Sequence, residues 1–201
     1  MTKPIKKHAA DIDPNQSVEL LKALHILTRD GQLNQDSRRK LKQVYHLFQF
    51  IEPMLQALEA KEQTYRVVDH GAGKSYLGFI LYDLFIKHHH HGHVEGIETR
   101  PELVESLKVL AKDAGFTRMG FHHLSVADAI TEHDLVIAPY SLLQRDRERW
   151  LAAQWHIVVL DEAQNIKNAH THAAQVVGQL QTQHRLCLSG TPMENHLGEI
   201  W

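Results

Sequence analysis

The chain has 201 residues, enough to bury one sizeable core, and its 22 basic and 24 acidic side chains leave a formal charge of −2. That balance supplies no global positive field, so any nucleic-acid contact has to come from a local patch. One cysteine, Cys187, excludes a disulfide-stapled fold and fits a cytoplasmic protein. No apolar run reaches the roughly 20 residues that a membrane-spanning helix needs, so no membrane partner is expected.

In chain order, residues 1–16 are polar and read as a flexible arm. Val18, Leu20, Leu21, Leu24, Ile26 and Leu27 predict a short helix ending near Asp30-Gly31. Asp36 is placed to cap a second helix through about Phe50, with Leu41, Val44, Tyr45, Leu47 and Phe48 on its buried side. Pro53 has no backbone N–H to donate and is expected to break or restart that helix. Beyond Lys61-Glu62-Gln63 short apolar runs predict strands near 65–69, 94–98, 119–122, 134–138, 156–160 and 185–188. Helices are predicted near 75–87, 101–113, 146–152 and 169–180. The alternation implies an α/β fold: a three-layer sandwich with a mostly parallel, Rossmann-like sheet and a helical N-terminal extension.

The first strand ends at Asp69 and leads into Gly71-Ala72-Gly73-Lys74-Ser75. A Gly-x-Gly turn lets a ligand approach the backbone, and the next helix points its partly positive N-terminus at the same place. Twenty-nine residues after Asp69, Glu98 ends the next strand, where one carboxylate can accept from both hydroxyls of a ribose. Tyr76 stands where a dinucleotide fingerprint wants glycine, which disfavours a nicotinamide cofactor. The same stretch also allows a phosphate-binding loop, with Lys74 neutralising phosphate and Ser75 holding magnesium. Val68 stands where that pattern has its first glycine.

Residues of about 33–130, through Asp69-His70-Gly71-Ala72-Gly73 and Gly96-Ile97-Glu98-Thr99-Arg100-Pro101, resemble the cofactor-binding half of class I S-adenosylmethionine-dependent methyltransferases. The resemblance implies that Asp69 meets the methionine amino group, Gly71 and Gly73 line the cofactor, Glu98 holds the ribose and Asp128 reaches the adenine.

From about His133 onward the chain resembles the later part of the first ATPase lobe of Swi/Snf-type remodelling enzymes. The matching runs are Asp134-Leu135-Val136-Ile137-Ala138-Pro139-Tyr140-Ser141, Val158-Val159-Leu160-Asp161-Glu162-Ala163-Gln164 and Ser189-Gly190-Thr191-Pro192. This resemblance implies magnesium on Asp161, a water polarised by Glu162, and coupling to nucleic acid through Ser189, Gly190 and Thr191. The alternative cofactor is therefore ATP with magnesium, with a nucleic acid as a second candidate partner. The organisation expected is an arm (1–16), a helical extension (17–62), a methyltransferase-like half-domain (63–130) and a helicase-like segment (131–201). A fusion junction is expected near 129–134. Both enzyme signatures read as partial, so the expected activity of the chain alone is low or none, and a non-catalytic vestigial or chimeric binding module is the third reading. His88 to His91 with His93, and Arg38, Arg39, Lys40 and Lys42, read as solvated surface rather than as a metal or nucleic-acid site.

Overall fold

A computed structural model describes residues 12–125, 135–161 and 172–187. The first helix, α1 (Val18–Ala23), is capped by the Ser17 hydroxyl and is shorter than its periodicity suggests. His25 takes a left-handed conformation (φ 58°). The His25 N–H then bonds to the Lys22 carbonyl, and the Ile26 N–H to that of Leu21, each at 2.9 Å. This pattern closes a helix end, and it is usually built on glycine. Ile26 and Leu27 are buried after the helix has stopped.

Helix α2 (Gln35–Glu59) begins one residue before the expected cap, because the Asn34 side chain accepts from the Ser37 N–H at 2.7 Å. It does not break at Pro53. The missing N–H would have met the carbonyl of Gln49, and both residues are exposed, so water can take that carbonyl. The buried stripe of Leu41, Val44, Leu47, Ile51, Leu55 and Leu58 continues across the proline in helical register. Each of these side chains contributes about 1.5–3 kcal/mol of transfer free energy.

Among the described residues six parallel strands follow: β1 (Tyr65–His70), β2 (Gly92–Glu98), β3 (Met119–His123), β4 (Leu135–Pro139), β5 (Gln154–Asp161) and β6 (Gln181–Cys187). Their order across the sheet is β3-β2-β1-β4-β5-β6. The connecting helices are α3 (Tyr76–Leu84), α4 (Pro101–Asp113), α5 (Tyr140–Arg145), α6 (Arg147–Ala152) and α7 (His172–Gln179). A single 3-10 turn at Ile86–His88 follows α3. The expected helix near 146–152 is α6; α5 precedes it and had no separate signal. β6 starts earlier than expected because Gln181, Gln183 and His184 are exposed and polar, as an edge position tolerates.

The sheet is buried on both faces, and β4 and β5 show how. Leu135, Ile137, Ile157 and Val159 join the core made with α1 to α4, while Val136, Ala138, Val158 and Leu160 join the core made with α5 to α7. Alternate residues on one strand thus serve two layers. The N-terminal extension is tied to this frame by Asp83 on α3, only 1% exposed. Its carboxylate accepts from the Gln16 side chain, from the Ser17 N–H at 2.7 Å and from Lys87. No helix among the described residues is long and apolar enough to cross a membrane.

Candidate functional site

The chain runs outward from β1 to β2 and β3, then returns to the other side of β1 as β4. In such a sheet the crevice for a ligand lies beyond the carboxyl ends of the strands, at the reversal between β1 and β4. The turn 71–75 sits there. Gly71, Gly73 and Ser75 all have positive φ (66°, 55° and 49°), and the turn feeds directly into α3. A Cβ placed on Gly71 would lie 3.3 Å from Leu142 and 3.5 Å from Pro139. The Gly-rich turn is therefore packed against the β4–α5 corner, and the two sequence signatures meet at this point.

Asp69 is 6% exposed and accepts a hydrogen bond from the Ser75 hydroxyl at 2.7 Å. Gly78 makes this geometry accessible: a Cβ there would come within 2.6 Å of Ser75 Oγ. Glu98 is 4% exposed and binds still more donors. Its Oε2 accepts from the Gly73 N–H at 2.9 Å and from Arg100 Nη2 at 3.0 Å. Its Oε1 accepts from the Thr99 N–H and hydroxyl at 2.9 and 3.3 Å, and from the Arg100 N–H and Nε at 3.1 and 3.0 Å. The Arg100 side chain holds the Glu98 carboxyl down to about 2 against the opposing effect of burial, helped by the backbone N–H groups of Arg100 and Gly73.

Three N–H groups of the turn are taken up within the protein. Ala72 donates to the Ile97 carbonyl at 3.0 Å, Gly73 to Glu98, and Ser75 to the Ala72 carbonyl at 2.5 Å. A phosphate cradle needs such groups facing the ligand. Lys74 lies toward Tyr76 instead, its ammonium 5.9 Å from the ring centroid, and Lys40 of α2 lies over the same ring at 4.1 Å.

Of the residues read from the sequence, Asp69, Gly71, Gly73, Lys74, Ser75 and Glu98 come together around one turn. Asp161 ends β5 in register with Pro139, while Asp69 is in register with Ile137. It therefore stands two strand spacings away, about 10 Å across the sheet. Asp128, Glu162, Ser189, Gly190 and Thr191 lie outside the described residues. Two contributors carried no assigned role in the sequence. Arg100 could have been suspected from a guanidinium two residues after a strand-end acid; Gly78 has a role visible only in the fold. In the His tract, His89 stacks on Phe85 with centroids 3.9 Å apart and His91 bonds Glu59 at 3.0 Å. Both are packing residues. Among the described residues no group of three or more His, Cys, Asp or Glu is placed to hold a metal.

The parallel sheet and the turn at its reversal define a Rossmann-like α/β domain. Residues 39–179 match the model of a family described as a methyltransferase domain, and the chain belongs to that family. It also carries partial similarity to Swi/Snf-type helicase-like ATPases. It is 47% identical over 68 residues to a Bacillus subtilis protein named as an ATP-dependent helicase/translocase, 34% of this chain and 7% of that one. Over 70 residues it is 34% identical to the ISWI chromatin-remodeling complex ATPase of Saccharomyces cerevisiae, 35% of this chain and 6% of that one. The chain thus spans a small fraction of these relatives' length. Among solved structures, magnesium protoporphyrin IX methyltransferase from Synechocystis PCC 6803 with bound SAH aligns with a TM-score of 0.43 at 16% identity. That alignment covers 67% of this chain and 61% of the other.

Proposed function

We propose that the chain binds S-adenosylmethionine at the carboxyl ends of β1 and β2. The observation that carries this reading is the pair of buried carboxylates, Asp69 and Glu98, flanking a turn in which the N–H groups of Ala72, Gly73 and Ser75 already have partners within the protein. Two acceptors at adjacent strand ends suit a ligand that brings an ammonium and a pair of ribose hydroxyls. Asp69 would take the ammonium of the methionyl end, Gly71 and Gly73 would let the cofactor approach the backbone, and Glu98 would take the ribose hydroxyls. Asp128 would reach the adenine. The cofactor itself would supply an electrophilic methyl group on a sulfonium. The single, unpaired cysteine supports a cytoplasmic setting.

A second reading rests on the 47% identity over 68 residues to a helicase/translocase. In it ATP and magnesium would be held by Lys74, Ser75 and Asp161, with Glu162 positioning water. Ser189, Gly190 and Thr191 would couple the site to nucleic acid. Isothermal titration with S-adenosylhomocysteine and with magnesium-ATP separates the two. The first reading expects S-adenosylhomocysteine to bind the parent chain, Asp69→Ala to lose it, and Lys74→Ala to keep it. Binding of magnesium-ATP alone, lost in Lys74→Ala and kept in Asp69→Ala, would replace the first reading by the second.

A further inference from the structure

We propose that Arg100 sets nucleoside affinity by ligand exchange: its guanidinium holds the Glu98 carboxylate, and a ribose takes that carboxylate by displacing it. The inference rests on the reading of Glu98 as the ribose carboxylate. A carboxylate offers about four lone-pair positions, and six donors already converge on this one. Three of them are the backbone N–H groups of Gly73, Thr99 and Arg100, fixed by the two turns that surround the site. The Thr99 hydroxyl is local to the same turn. Of the two side chains, which alone can leave without moving the main chain, only the guanidinium contacts both oxygens. It makes two hydrogen bonds, one to each oxygen, both 3.0 Å long, and a ribose brings two hydroxyls, so the exchange is two for two. The exposures agree with this division. The Arg100 side chain is 57% exposed and can turn into water, whereas Glu98 at 4% cannot. Glu102, in the first turn of α4, already acts electrostatically on Arg100 and offers the released cation a nearby negative charge.

The contact therefore opposes binding, whereas a guanidinium that merely oriented Glu98 would favour it. Removing the side chain leaves the fold intact on this account, because Arg100 precedes α4 without making a side-chain cap bond. The test is titration of the full chain, its Arg100→Ala variant and its Arg100→Gln variant with S-adenosylhomocysteine at low and high salt. Both variants should bind roughly two- to fivefold more tightly than the parent, the range of a partly exposed ion pair. Salt should narrow the gap between the parent and the variants, because it screens the Arg100–Glu98 pair that only the parent carries, while the Asp69–ammonium contact weakens alike in all three. 5′-Methylthioadenosine, which has the ribose but no ammonium, should show the same differences. Variants that bind equally or more weakly while the parent binds would overturn the role of Arg100 and leave the cofactor reading standing. Binding by the variants but not by the parent would support the exchange in its strongest form. No binding by any of the three chains would overturn the cofactor reading, and this inference with it.

Discussion

Six donors meet on Glu98, and two of the side-chain contacts come from a cation that water can reach, so the charge of this residue is visible in the pH dependence of folding. Its carboxyl titrates near 2 in the folded chain against an ordinary value of 4.5. A depressed carboxyl stabilises the fold above its unfolded value, and that contribution is lost as pH falls from about 4.5 to about 2. The parent should therefore be more stable than Glu98→Gln near neutral pH, with the difference shrinking through that window. Urea melts of both proteins at several pH values measure it; a gap that stays constant down to pH 2 would contradict the assignment. At this scale the sequence showed Asp69 and Glu98 plainly, because an acid that closes an apolar run is a local pattern. It showed neither the Arg100 clamp nor the fit of Gly78 to Ser75, since both depend on which side chains the turns bring within 3 Å.

Among the elements, α2 departs most from what its sequence suggests. A proline inside a helix costs about 3 kcal/mol relative to alanine, yet Pro53 lies on the exposed side while the buried stripe from Leu41 to Leu58 runs past it. Packing of that stripe outweighs the lost bond. Pro53→Ala should therefore stabilise the chain by about 1–2 kcal/mol, the restored hydrogen bond being partly offset by a freer unfolded chain. An unchanged or lower urea midpoint would mean that the helix is not strained there. The tie between the extension and α3 is a second element-scale feature. Asp83→Ala leaves the Ser17 N–H and the Gln16 amide without their acceptor, at a cost of about 1–3 kcal/mol. Hydrogen exchange should then rise over 16–27 and stay low in β1 and β2; equal protection in both proteins would show that α1 is held by its apolar contacts alone. Periodicity located nearly every helix and strand, but it carried no information about ends closed by histidine at left-handed φ or about a polar edge strand.

Across the whole molecule the parallel sheet followed from alternation of strands and helices, whereas the strand order did not, because the return from β3 to the far side of β1 leaves no mark in local pattern. That return decides whether the chain behaves as one unit. β4 pairs directly with β1, and Leu135, Ile137, Ile157 and Val159 share a core with Val67, Val94 and Phe79. The two stretches with different resemblances therefore contribute side chains to the same interior, and neither can open without exposing the other's apolar surface. Ile157 is fully buried on β5, so Ile157→Ala should destabilise the whole chain by about 2–5 kcal/mol. Trp150 and Trp155 are both buried in the core beside β4 and β5, and in a Trp201→Phe background, used for every protein compared, their fluorescence reports that side. Far-ultraviolet circular dichroism reports every helix, α2 and α4 included. The two signals should trace one coincident urea transition in the parent and shift together in Ile157→Ala. If fluorescence moves while the dichroism midpoint stays, β5 lies in a unit that folds apart from the helical extension, and the shared core does not couple them.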